Sequence, residues 1–289
     1  MLTAWIKSPI PYAGCKFDML DELEAIIGSG ETLVDMFTGS GVVGANMAPR
    51  FGRVLCIDVL ADLIAMHDNF KRDDPDAIIE KMRGGLSSRE PEKYRELRDA
   101  YNARAVGSAR ASQDPAELGY RFYGLLLSCT NNLARFNLSG GFNQTCGKRE
   151  LSETKAEEIR RWCLHLQEFP DRITYMAQPC WKLAGPDGAL RRLAPGTTIY
   201  VDPPYSNTQA GYNAAWSTAD DDRLADLILG NVQAYRWVVS SCLKDGAWSR
   251  FASRIKSSGL FQVREIGHTY KAAKKTRNQD TRELVMWNR

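Results

Sequence analysis

Asp202, Pro203, Pro204 and Tyr205 follow directly on the apolar run TTIYV. Two consecutive prolines lack backbone N–H groups and hold the chain on an extended, rigid path. One carboxylate, one carbonyl and one aromatic ring are thereby fixed as a cluster just past a strand end. The set suits a planar base that carries an exocyclic amine. The Asp202 carboxylate accepts one amine hydrogen, the Pro203 carbonyl accepts the other, and Tyr205 offers a face on which the ring stacks. Holding both hydrogens localises the nitrogen lone pair and aims it at an electrophile. The plainer alternative is a proline turn capped by an aspartate.

A second cluster, Asp35-Met-Phe37-Thr38-Gly39-Ser40-Gly41, lies between a short apolar run and a helical pattern. Glycines at such a turn let backbone amides approach a ligand closely. Asp58 closes the next apolar run, where a carboxylate can bond ribose hydroxyls. Together they suit an adenosine-containing cofactor; a bare strand-to-helix turn is the alternative. The phosphate-binding pattern GxxxxGK[ST] is absent, because Lys16 precedes the glycines, and this disfavours an ATPase. GSGVVG is close to the nicotinamide fingerprint GxGxxG, but that reading leaves DPPY unexplained.

Both clusters need strands to hold them. ETLVDMF and RVLCIDV read as buried strands, with helices in FDMLDELEAIIGSG, after the glycine turn, and in LADLIAMHDNFKR. From about residue 71 the chain becomes densely charged with both signs, which predicts solvent-facing helices. LSETKAEEIRRWCLHLQEF starts with a capping signal at Ser152 or Thr154. Strands return with TTIYV, YRWVVSSC and the terminal pair FQVREIGHTY and RELVMWNR; helices are expected in STADDDRLADLILG and GAWSRFASRIKSSG. The expectation is an α/β fold split between 1–70 and 195–289, with an insert over 71–194.

Composition narrows the classes. The 289 residues are 44% hydrophobic and 25% charged, an ordinary globular balance. The formal net charge of +3 is too mild to identify a polyanionic partner. No window of eighteen uncharged apolar residues and no signal-peptide pattern is present, so neither a membrane partner nor secretion is expected. Seven cysteines without a CxxC pair point to a reducing compartment, and a cytoplasmic, nucleoid-associated location is expected. Cys129, Cys146, Cys163 and Cys180 are evenly spaced, but without close pairs, and the three histidines are scattered. No metal is expected.

These pieces, in this order, resemble the Dam-type (class alpha, D12) adenine-N6-specific DNA methyltransferases, of bacterial or phage orphan type. Pro11-Tyr12-Ala-Gly-Cys15-Lys16 is similar to the family's PxYxGGK-type motif, with cysteine at the second glycine. Asp35 to Gly41 resembles its DxFxGSG loop, Asp58 its ribose-binding acid, and Asp202 to Tyr205 its catalytic tetrapeptide. RELVMWN resembles its last strand. Residues 131–137, NNLARFN, followed by GGFNQTCG, are similar to its DNA-reading segment.

The resemblance implies a Rossmann-like, seven-stranded S-adenosylmethionine methyltransferase sheet with its last strand antiparallel, carrying an inserted, mainly helical target-recognition domain. It implies that Tyr12 and Lys16 approach S-adenosylmethionine, that Phe37, Thr38, Gly39, Ser40 and Gly41 cradle its methionine end, and that Asp202 serves cofactor and base alike. Asp35 belongs to the same cofactor set. The implied partner is double-stranded DNA, with one adenine flipped out. Arg135 is the candidate for a guanine contact; Asn131, Asn132 and Asn137 are candidates for phosphate or adenine. Lys148, Arg149, Lys271, Lys274, Lys275 and Arg277 are candidates for phosphate, and Tyr212 for closing the base pocket. A palindromic site can be served by a monomer acting twice or by a homodimer. Two alternatives stay open: another amine-bearing substrate (an RNA base, cytosine-N4 or a protein amide), and an inactive DNA-binding relative. RNA or protein-amide methyltransferases with a PPY cluster usually carry Asn where Asp202 stands, and cytosine-N4 enzymes more often Ser, so Asp202 leans toward adenine.

Overall fold

Apolar residues that alternate between two buried faces build the centre of the molecule. The computed structural model describes residues 4–184, 193–205, 216–244, 246–266 and 281–288. The strands are β1 (Gly30–Asp35), β2 (Phe51–Asp58), β3 (Ile173–Ala177), β4 (Thr198–Val201), β5 (Arg236–Lys244), β6 (Ala247–Trp248), β7 (Gln262–Ile266) and β8 (Thr281–Trp287). They lie in the order β3-β2-β1-β4-β5-β8-β7. The first five in that row are parallel, and β8 runs antiparallel to both β5 and β7. The expected seven strands and antiparallel last strand are present. The two-residue β6 adds an eighth, folding back on β5 through Leu243 and Lys244.

The side-chain period of two sends neighbouring residues to opposite cores. Leu33, Val54, Cys56, Tyr200, Val238 and Val285 face one core, and Val34, Leu55, Ile57, Ile199, Val239 and Met286 the other. Every residue of β4 is buried, and each fully buried Ile or Val contributes roughly 2 kcal/mol. This is why the segment before Asp202 is rigid.

The helices are α1 (Leu20–Ile27), α2 (Val42–Met47), α3 (Ala61–Arg72), α4 (Pro75–Lys81), α5 (Pro91–Ala105), α6 (Pro115–Ser128), α7 (Glu153–Gln167), α8 (Trp181–Ala184), α9 (Thr218–Gly230) and α10 (Arg250–Ser257). Ser152, rather than Thr154, caps α7 by accepting from the Lys155 amide. Ser217 and Asp220 form a reciprocal capping box at the start of α9.

The insert is less separate than composition suggests. Charged α5 buries Tyr94, Leu97 and Tyr101 along one stripe, and these join the same core as Leu33 and Val54 of the sheet. Tyr101 Oη donates to Asp62 Oδ2 of α3 at 2.5 Å, and Arg110 donates to the same buried carboxylate. The chain also re-enters the sheet well before residue 195. β3 pairs with β2 over Val54↔Ile173 to Asp58↔Ala177. A boundary at 194 therefore puts one strand of the sheet on the wrong side. The five-residue strand ITYMA was not expected from the sequence.

Candidate active site

The strand order reverses between β1 and β4, which opens a crevice beyond their carboxyl ends. Register then fixes three carboxylates at one sheet edge. Asp35 ends β1 opposite Tyr200 of β4, Asp58 ends β2 opposite Ala177 of β3, and Asp202 follows β4. A cavity of about 530 Å³ lies there. Tyr12 and Lys16 line it from the N-terminal loop; Asp35, Phe37, Thr38, Gly39 and Ser40 from the glycine turn; Asp58 from β2. Asp202, Pro203, Pro204 and Tyr205 line its far side.

Gly41 is the exception in the expected cofactor set, since it does not line the cavity. Its φ is +77°, and a Cβ there would come within 2.5 Å of His67 Cε1. Its work is to turn the backbone over a histidine. His67 is fully buried, stacks on Tyr175 at 4.7 Å, and donates from Nε2 to the Gly39 carbonyl at 2.9 Å. Burial drives its pKa down to about 4, so the ring is neutral. Gly39, at φ +49°, leaves room for the Tyr12 ring, only 3.1 Å from where its Cβ would stand.

The acids hold the loop as well as line the cavity. Asp58 accepts from the Gly39 amide at 3.1 Å through Oδ2 and from the Leu60 amide at 3.0 Å through Oδ1. Burial raises its pKa, and these amide bonds oppose the rise. Lone pairs remain on both oxygens for a further donor. Asp35 accepts from the Gly44 amide through Oδ2 at 3.1 Å, while its buried Oδ1 has no partner among the described residues. Burial first, and then the neighbouring charges of Asp202 and Asp58, push it up to about 7 against the pull of the Gly44 bond.

At the tetrapeptide, Asp202 Oδ2 lies 2.8 Å from Lys16 Nζ. Asp202 Oδ1 accepts from Tyr205 Oη at 2.7 Å. Lys16 also donates to the Gly14 carbonyl at 3.0 Å and sits 5.4 Å from the centre of the Tyr205 ring. Lys16 is thus a buried partner of Asp202. Sequence reasoning missed Glu283 of β8, whose Oε2 is 3.2 Å from Tyr205 Oη and 3.9 Å from Lys16 Nζ. One carboxylate inside the terminal apolar strand RELVMW was the available signal. It also missed His67, and the aromatic wall in which Phe37 meets Trp216 edge-on at 5.6 Å and Trp216 stacks on Trp181.

The expected DNA-reading residues divide. Asn131 and Asn132 both have left-handed backbones, at φ +59° and +51°. The Asn132 amide caps the end of α6 through the Leu126 and Leu127 carbonyls, and its Oδ1 accepts from Arg149. Phe136 and Phe142 pair across a small hairpin, and Asn137 Oδ1 closes its tip by accepting from the Gly141 amide and Ser139 Oγ, both at 2.8 Å. Exposed Arg135 donates from Nε to Asn143 Oδ1 at 2.9 Å, which braces it beside the hairpin. Phe136, Asn137 and wholly exposed Leu138 reach the cavity wall. Lys148 and Arg149 are exposed nearby in sequence. Tyr212, Lys271, Lys274, Lys275 and Arg277 lie outside the described residues. Among the described residues, no group of three or more His, Cys, Asp or Glu side chains could hold a metal, and no helix is long and apolar enough to cross a membrane.

A family model described as D12 class N6 adenine-specific DNA methyltransferase matches residues 12–241. The chain is similar to a DNA adenine methylase of Serratia marcescens, 25% identical over 231 residues, covering 75% of this chain and 76% of that protein. It is likewise similar to a DNA adenine methylase of Escherichia coli (strain K12), 25% identical over 234 residues, covering 78% and 77%. Among solved structures it is similar to the rRNA methyltransferase aviRa from Streptomyces viridochromogenes, at TM-score 0.40 and 13% identity, covering 99% and 90%.

Proposed function

The chain belongs to the D12 class N6 adenine-specific DNA methyltransferases, and on that premise we propose how its side chains carry methyl transfer to the exocyclic amine of an adenine in duplex DNA. The observation that carries the reading is the convergence of the glycine turn and the DPPY cluster on one cavity at the sheet's switch point.

The cofactor implied by the family is S-adenosylmethionine, which supplies an already activated sulfonium methyl group. The cavity fits it by its own chemistry. Asp35 Oδ1 is a buried acceptor without a partner among the described residues, and Asp58 keeps spare lone pairs for ribose hydroxyls. Gly39 brings the backbone to the cavity beside the Tyr12 ring, where a Cβ would be crowded. Tyr12, Asp35, Phe37, Thr38, Gly39, Ser40 and Asp58 are the residues that would hold it.

The rest is positioning. Transfer needs no covalent enzyme intermediate, since the amine is itself the nucleophile, so alignment carries most of the rate. The adenine leaves the duplex at a cost of a few kcal/mol. Its amine then donates to Asp202 and to the Pro203 carbonyl. Tyr205 forms one wall of the base site. Phe136, Asn137 and Leu138 of the hairpin line the cavity, which supports the helical insert as the part that reads DNA. Arg135 is assigned to base readout, with Lys148 and Arg149 on phosphate.

The deciding experiment incubates the protein with tritium-labelled S-adenosylmethionine and, separately, unmodified duplex DNA, RNA and protein. Label in duplex adenine, absent with Asp202→Ala while cofactor still binds, is the expected result. Label retained by Asp202→Ala contradicts the assignment. Sequencing that detects modified bases, in a host expressing the chain, gives the recognition site.

A further inference from the structure

Glu283 lies in the middle of β8, opposite Cys242 of β5 and Ile266 of β7. It is fully buried, and so are the following Leu284, Val285 and Met286. An ionised carboxylate in such a strand costs several kcal/mol unless partners compensate it. Two of its partners are Tyr205 Oη of the DPPY cluster at 3.2 Å and Lys16 Nζ, the ion-pair partner of Asp202, at 3.9 Å.

The same two donors serve Asp202 at 2.7 and 2.8 Å. Tyr205 has one hydroxyl hydrogen and two carboxylates within reach of it. Lys16 is one ammonium shared between the same two carboxylates. Both oxygens of Asp202 therefore already hold one donor before any base arrives. An entering amine that takes a remaining lone pair has to share Oδ1 with the phenol or Oδ2 with the ammonium, which weakens the bond already made there. A hydroxyl displaced from Asp202 inside a buried site would lose a hydrogen bond outright, unless a second acceptor stood ready.

We infer that Glu283 is a positioning residue for the reaction: it accepts the Tyr205 hydroxyl hydrogen, and draws Lys16 toward itself, as the target amine takes its place on Asp202. Only hydrogen bonds are exchanged. Tyr205 keeps its proton, Lys16 keeps its charge, and the Glu283 carboxylate gains what Asp202 gives up. The inference rests on the placement of the target base at Asp202 proposed above.

The test is single-turnover methyl transfer from labelled S-adenosylmethionine to unmodified plasmid DNA, with cofactor affinity and thermal midpoint measured beside it. Glu283→Gln weakens the acceptor without changing its shape. The expected result is a transfer rate lower by about tenfold to a hundredfold, the cost of a small misalignment, with cofactor affinity within about twofold of the parent. In a Tyr205→Phe background there is no hydrogen to hand over, so Glu283→Gln should cost almost nothing further. A parental rate for Glu283→Gln overturns the inference. So does an equal loss in both backgrounds, or a parallel loss of cofactor binding, since each marks a merely structural role. Should Glu283→Gln fail to fold, Glu283→Asp decides: it keeps the charge but withdraws the oxygens by about 1.5 Å, one C–C bond. A lowered rate then supports the exchange and a parental rate overturns it. An unsubstituted protein that labels no duplex DNA would instead remove the functional reading itself, which keeps the two failures apart.

Discussion

Lys16 and Asp202 meet 2.8 Å apart across the switch point of the sheet, with the lysine side chain 4% exposed and the aspartate 16%. A loop near the N-terminus and a loop nearly two hundred residues later are thereby tied together at the wall of the cavity. Neither charge is solvated well enough to be left alone.

Removing the cation alone should therefore be costly. Lys16→Met leaves Asp202 and Glu283 without their shared ammonium, and a loss of about 3 kcal/mol is expected, as for other broken buried pairs. The double variant Lys16→Met with Asp202→Asn should recover a good part of it. Denaturant midpoints of the four proteins of this cycle measure the coupling.

His67 should leave an acid-sensitive signature. Its folded pKa is about 4 against an ordinary 6.5, because burial disfavours the charged ring. The unfolded chain therefore binds its proton first. The stability linked to His67 is complete above pH 6.5 and is lost as pH falls toward 4, by as much as about 3 kcal/mol. His67→Phe keeps the ring but has nothing to protonate. Urea midpoints at pH 7 and pH 5 should differ less for this variant than for the parent.

Asp35 should act in the opposite direction. Its folded pKa is about 7, above the ordinary 3.8. Its contribution is complete below pH 3.8 and is lost as pH rises through 7. Asp35→Asn should accordingly melt higher than the parent at pH 8, by an amount on the order of 2–4 kcal/mol, and bind S-adenosylmethionine more weakly. Calorimetry at pH 8 checks both. A lower melting temperature would show that the carboxylate is compensated there.

Gly41→Ala should damage the cofactor turn from behind. The left-handed φ costs roughly 1–2 kcal/mol for a residue with a Cβ, and the clash with His67 adds to it. Adding His67→Ala should relieve the clash but not the backbone strain. Cofactor titration of the single and double variants separates the two.

Arg135 should matter to DNA and not to folding, since it is exposed and braced only by Asn143. Arg135→Ala is expected to weaken duplex binding by about 1–3 kcal/mol with relaxed sequence preference if it reads a base. A uniform loss across sequences, with a salt slope reduced by about one, would assign it to phosphate.

The parts of the site that a sequence shows well are those whose chemistry is local. The proline pair after TIYV and the glycines after LVD constrain their own backbones, so they can be read where they stand, and the structure brings them to one cavity. Glu283 and His67 act through contacts with residues 78 and 28 positions away, which no local pattern encodes. The capping bonds of Asn132 were not legible either, since an asparagine that caps a helix looks like any other until its carbonyl partners are known. The strands that carry the two motifs could be read as apolar runs, but β3 could not, and its five residues pair along the edge of β2.

The return of the chain to the sheet at Ile173, together with the grip of Tyr101 and Arg110 on Asp62, bears on engineering. The helices beyond residue 74 cannot be lifted out as a cassette and exchanged between relatives to change the target sequence. A viable chimera would have to carry α3, β3 and the facing side of β2 with them, and the hairpin at 136–142 travels with the helices, because Phe142 is buried in the same interior and bonded to Asn102 of α5.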